Sequence, residues 1–188
     1  MEPQFEQIFN KEDFSESQLK GADYECCTFS NCDFSNADIS EAKVIECKFM
    51  SCNLSSTNLA QTVFQDVKFM DCKMLGLHFE DCSDFGLSFT FENCLLNHSS
   101  FYKTKIRKII FKNCQLQEVD FTESNLAEAI FDNCDLSDAT FDRSILEKAD
   151  FRSSYNYVID PEINQIRKAK FSISGVSGLL SKYEIEIS

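Results

Sequence analysis

A five-residue period limits what this chain can fold into more than any other feature. From residue 14, every fifth side chain is large and apolar: Phe14, Leu19, Tyr24, Phe29, Phe34, Ile39, Val44, Phe49, Leu54, Leu59, Phe64, Phe69, Met74 and Phe79. The series lapses at Asp84, returns at Phe89, skips two residues, and resumes at Leu96, Phe101, Ile106 and Phe111 up to Phe151. A step of five matches neither the helical period of about 3.6 nor the strand period of about 2. A second period lies on top. Cys32, Cys52 and Cys72, then Cys94, Cys114 and Cys134, recur every twenty residues, with one step of twenty-two. Phe29, Phe49, Phe69 and Phe89, then Phe111, Phe131 and Phe151, do the same.

Twenty is four fives. The simplest object with both periods is a square coil of four short sides, with residue n lying over n+20. Each coil must pair its backbone with its neighbours, because buried amides need partners. Such pairing sets a rise of about 4.8 Å per coil, so residues 12–153 give about seven coils and a rod roughly 34 Å long. Repeats of this kind contact mainly their neighbours, so the ends need caps. With Phe89 in the phenylalanine column, the two extra residues fall after it, as a corner bulge within 83–93. Asp84 occupies a slot that wants an apolar group. It is expected to turn to solvent, or to yield the inward place to Phe85, since a buried unpaired carboxylate is costly.

Two residues before each core side chain sits a small or thiol group, followed by a polar residue that is often Asp or Asn. The stretches CDFSN (32–36), ADISE (37–41), CNLSS (52–56), VDFTE (119–123), SNLAE (124–128) and CDLSD (134–138) show it. This pattern resembles the pentapeptide-repeat family, which implies an all-β fold, a right-handed quadrilateral β-helix. The expected division is an N-terminal cap over 1–13, the β-helix over 14–153, and a C-terminal cap over 154–188.

Past Phe151 the pentads stop. Asp160, Pro161 and Glu162 are suited to a helix N-terminus. Ile163 and Ile166 would form its apolar stripe. Val176, Leu179 and Leu180 are apolar at helical spacing, and Glu184 to Ile187 alternates like a short strand. One reading is a lid over the last coil; the other adds an interface with a second copy, since a strand edge and an apolar helix favour pairing. The ending resembles the C-terminal element of the gyrase-protecting members, the Qnr and MfpA proteins. That resemblance implies a homodimer interface of Ile163, Ile166, Val176, Leu179, Leu180, Tyr183, Ile185 and Ile187. Residues 83–93 leave no room for the long loops that some Qnr proteins carry.

Composition narrows the chemistry. The chain has 188 residues and a formal charge of −13, which opposes binding to nucleic acid or to an anionic membrane. No apolar run is long enough to span a bilayer, and the acidic start MEPQFEQIFN lacks an apolar signal core, so a cytoplasmic location is expected. Nine of the ten cysteines sit two before a core position and should act as small buried hydrophobes, Cys26 being off pattern. Neither a zinc site nor disulfides are expected. His78 and His98 should point outward. No nucleophile–base set, phosphate loop or dinucleotide motif is present, so neither catalysis nor a cofactor is expected.

Charge is the remaining signal. Between Asn113 and Phe151 lie Glu118, Asp120, Glu123, Glu128, Asp132, Asp135, Asp138, Asp142, Glu147 and Asp150, ten acids against Arg143 and Lys148, a net of −8. Lys103, Lys105, Arg107, Lys108 and Lys112 cluster just before them. The charge serves solubility in one reading. In the other, a stiff acidic rod presents evenly spaced negative charge to a groove built for phosphates. Resemblance to the Qnr and MfpA proteins implies a DNA mimic that binds DNA gyrase or topoisomerase IV and protects it from quinolones or related poisons. The alternative is an interaction solenoid with no topoisomerase link.

Overall fold

The computed structural model describes residues 2–15 and 17–186. The chain is a parallel β-solenoid. One side is a seven-stranded sheet of Ile8–Asn10, Thr28–Ser30, Lys48–Met50, Val67–Met70, Phe89–Glu92, Ile110–Lys112 and Ile130–Asp132. The adjoining side, one pentad earlier along each coil, is a four-stranded sheet of Gln4–Phe5, Asp23–Glu25, Lys43–Ile45 and Val63–Gln65. Register runs from n to n+20, as in Phe29↔Phe49 and Val44↔Phe64. The other two sides pair through single bridges such as Asp33↔Asn53 and Asp120↔Thr140. Counted along the chain, the first side carries Leu54, the second Leu59, the third Phe64 with the four-stranded sheet, and the fourth Phe69 with the seven-stranded sheet.

Each position of the pentad has a physical task. The middle residue, which recurs every five, fills the interior. Phe29 stacks on Phe49 at 4.7 Å and Phe131 on Phe151 at 4.6 Å. Facing columns meet edge to face across the interior, as Phe101 does on Phe111 at 5.7 Å and 85°, both geometries being favoured by the ring quadrupole. The small residue donates to the coil before it. Cys52 Sγ lies 3.4 Å from Phe29 O, Thr62 Oγ1 2.9 Å from Ile39 O, and Ser154 Oγ 2.7 Å from Phe131 O. The Asp or Asn slot staples the next turn. Asp33, Asp38, Asp120 and Asp135 accept the N–H two residues on, at 2.9, 3.0, 2.8 and 3.1 Å, the Asx turn expected of these side chains. Two residues past the core position the backbone turns left-handed, with φ of 56° at Asn36, 53° at Asn113 and 62° at Lys108. Outside glycine such a conformation costs on the order of 1 kcal/mol. Hydrogen bonds to the next coil offset it, for example Asn113 N–H to Asp132 O at 2.8 Å.

Nine cysteines are buried and Cys26 is exposed. Burial pushes the Cys47 thiol up to about 12. A neighbouring thiol, Cys114, together with burial does the same to Cys94. A thiol reagent without denaturant should therefore label Cys26 promptly and the other nine only as fast as the coils open. Prompt labelling of Cys52 or Cys114 would contradict this packing.

Three details differ from the sequence expectation. Phe91, not Phe89, occupies the phenylalanine column: it stacks on Phe69 and on Phe111, each at 5.3 Å, while Phe89 pairs with Val67. The two extra residues thus enter before Phe89, where the third side passes from Phe64 towards Ile106. Asp84 does face solvent, but Phe85 is 77% exposed as well. Phe89 moves inward beside them, against Phe79 at 5.3 Å. At the C-terminal end, no helix starts at Asp160. The single turn there, with Glu162 N–H on Asp160 Oδ1 at 2.8 Å, does not propagate, because Gln165 and Lys170 pair back onto Ile145 and Asp150. Stacking thus continues past the last pentad, and Phe171 lies on Phe151 at 5.4 Å. Residues 184–186 form no strand, since Glu184 leaves the preceding turn left-handed at φ 49°. Ile187 lies outside the described residues.

The cap is the short helix Ser177–Leu180 and the turn Ser181–Tyr183. Gly175 and Gly178 let it close on Tyr157, whose atoms occupy the space a Cβ at either position would need. Lys182 ties the cap back, 2.8 Å from Asp160 and 2.6 Å from Glu162.

Candidate functional site

The square cross-section distributes the ten acids around the rod. Asp135 lies on the first side, Asp120 and Asp142 on the second, Glu147 on the third, and Asp132 and Asp150 on the fourth. Glu118, Glu123, Glu128 and Asp138 are corner residues in the left-handed conformation.

Cations one coil away answer many of them. Lys103 and Arg143 flank Glu123 at 3.7 and 3.3 Å, and Arg143 also reaches Asp142 at 3.0 Å. Arg107 meets Glu128 at 3.0 Å, and Arg167 meets Glu147 at 3.1 Å. Arg152 grips Asp150 with two nitrogens, 2.9 Å to Oδ1 and 2.7 Å to Oδ2. Opposite charges at n and n+20 are the sequence signal for half of these pairs, those of Lys103, Arg143 and Arg167 with Glu123 and Glu147, and the linear charge count passed over it.

Four acids have no cation partner among the described residues: Asp120, Asp132, Asp135 and Asp138. Asp120, Asp135 and Asp138 share the corner between the first and second sides. Glu118 stands one coil from Asp138 there, beside His98 at 3.2 Å. Burial opposes the charge of Asp135, yet hydrogen bonds from Ser137, Asn156 and Gln117 outweigh it and hold the carboxyl below its ordinary range. The structure thus resolves a diffuse acidic half-rod into one corner of uncompensated carboxylates on a rigid backbone.

Asp150 illustrates the opposite case. The Arg152 fork holds its carboxyl at about 2. A carboxylate with a lowered folded value stabilises above its unfolded value of about 3.9 and loses that contribution as pH falls. Asp150→Asn should melt below the unsubstituted chain at pH 7, with the difference closing between about pH 4 and pH 2. A difference independent of pH would show that the fork contributes nothing.

The seven described tail residues separate into three groups. Ile163, Val176, Tyr183 and Ile185 are exposed, while Ile166 and Leu179 pack on the core. Leu180 is half-buried, and Ile187 is outside the described residues. The exposed four leave an apolar surface at the C-terminal end of the rod.

No helix is long and apolar enough to cross a membrane among the described residues. No curated protein sequence matches the chain. Two structures of trypsin-treated variants of QnrB1, a plasmid-mediated fluoroquinolone resistance protein, are similar in fold. Each has 22% identity and a TM-score of 0.50; this chain is covered in full, and theirs to 100% and 92%. The family profile described as a pentapeptide repeat region matches residues 22–90 and 87–155. With its pentads, its square coil and this match, the chain belongs to the pentapeptide-repeat family.

Proposed function

We propose that this solenoid is a non-catalytic cytoplasmic DNA mimic that binds DNA gyrase or topoisomerase IV and protects it from quinolones or related poisons. The observation that carries the reading is a corner of carboxylates with no Lys or Arg partner among the described residues, Glu118, Asp120, Asp135 and Asp138, on a stiff rod. Coil spacing of about 4.8 Å sets charges in a row at fixed intervals. DNA carries one charge per about 1.7 Å of axis, so shape must supply what charge density does not. The fold likeness to QnrB1, itself a fluoroquinolone resistance protein, supports the same reading. A groove with two-fold symmetry is best filled by a two-fold ligand. The exposed Ile163, Val176, Tyr183 and Ile185 are the surface through which a second copy would join. Purified protein at micromolar concentration should inhibit supercoiling by gyrase and reduce drug-stabilised cleavage. If it does neither, the chain is an interaction solenoid for another partner.

A further inference from the structure

The two-residue insertion opens the third side of the rod. The strand Val63–Gln65 is the last of its sheet, and the exposed Asp84, Phe85 and Gly86 lie where the next strand would be. Between this bow and the following coil is a cleft of about 290 Å³. Its floor is apolar: Val67, Phe89, Ile106 and Ile109 are all buried. Its rim is cationic, with Lys68, Arg107 and Lys108.

That rim is anomalous in a chain of charge −13. The one acid on it, Asp66, is engaged: its N–H donates to Ser88 Oγ at 2.8 Å, and its Oδ1 accepts from the same hydroxyl at 3.1 Å. Arg107 shares its charge with Glu128, whereas Lys68 and Lys108 have no ion-pair partner among the described residues. Lys108 springs from a fixed corner, with φ 62° and its N–H on Ala127 O at 2.9 Å. Charge and apolar surface therefore meet at a rigid site that the regular coil does not contain.

We propose that this cleft binds an amphipathic organic anion, a carboxylate or sulfonate carried on a flat apolar body. The body would cover the floor and the anionic head would meet Lys68, Arg107 and Lys108. The volume falls just short of the usual range for ligand sites, about 300–1,000 Å³, and suits one fused-ring body. A neutral hydrophobe would leave the cations unanswered, and a small hydrophilic anion would leave the floor wet. The site lies away from the acidic corner, and its occupancy does not depend on the topoisomerase reading.

The test is calorimetric titration of the full chain with 2-naphthoate, with 2-naphthylmethanol as the neutral isostere and acetate as the bodiless anion. Naphthoate should saturate one site per chain, with the other two at least tenfold weaker. A Lys68→Glu, Lys108→Glu double variant should lose at least tenfold in naphthoate affinity with an unchanged melt. Lys20→Glu, remote from the cleft, should lose nothing. Equal binding of naphthoate and naphthylmethanol, unchanged binding by the double variant, or no saturation at millimolar naphthoate would each overturn the assignment.

Discussion

Phe131→Ala is expected to destabilise the chain by about 3–5 kcal/mol, the range for emptying a phenylalanine site in a core. Its ring is sandwiched between Phe111 at 5.1 Å and Phe151 at 4.6 Å, with Phe121 against its edge at 5.8 Å. Backbone pairing fixes the coil rise, so the coils above and below cannot collapse into the space. The same substitution at Phe91 should cost a comparable amount, because Phe91 holds the equivalent place between Phe69 and Phe111. Phe85→Ala, at the exposed bow, should stay within about 0.5 kcal/mol. Denaturant melts of the three variants decide the matter. A Phe85→Ala loss as large as that of Phe91→Ala would mean that the column runs through the wrong residue.

That contrast marks the limit of what the sequence disclosed. A period of five with a superperiod of twenty determines which residue lies over which, and neither depends on local propensity. The columns through Leu54, Phe101 and Leu126 could therefore be written down in advance. Around Asp84 the chain offers Phe85, Phe89 and Phe91 as competitors for two inward places, and periodicity does not choose among them. The choice rests on strand pairing, where Phe91 answers Phe69 and Phe89 answers Val67. At the C-terminal end, Asp160-Pro161-Glu162 carried a genuine helix-start signal, but pairing of Gln165 and Lys170 onto the last coil prevailed over it. The left-handed corners were also invisible, because Glu, Lys and Asn fill them as readily as glycine. The acidic signal was legible only as a total. Which carboxylates remain uncompensated depends on neighbours twenty residues away.

The charge distribution leads to the second large effect. Reversal of Asp120, Asp135 and Asp138 to Lys should abolish inhibition of gyrase supercoiling, whereas reversal of Glu123, Asp142 and Glu147 should weaken it much less. The first set is without cation partners among the described residues, so all of its field is available to a groove that binds phosphates. The second set is already answered by Lys103, Arg143 and Arg167, and exposed pairs of that kind contribute little to stability or field. Asp120 and Asp135 also staple turns through the N–H groups of Thr122 and Ser137, so Asp120→Asn and Asp135→Asn, which keep the staple and remove the charge, separate folding from binding. Binding by the unsubstituted chain should fade as salt rises past physiological strength, where screening acts over about 8 Å. Removal of residues 176–188 should leave the coils folded while reducing potency, if two copies must span a two-fold groove. Equal loss from both charge sets would place the contact elsewhere than this corner. Undiminished activity of the neutral Asn variants would show that charge on Asp120 and Asp135 is not what the partner recognises.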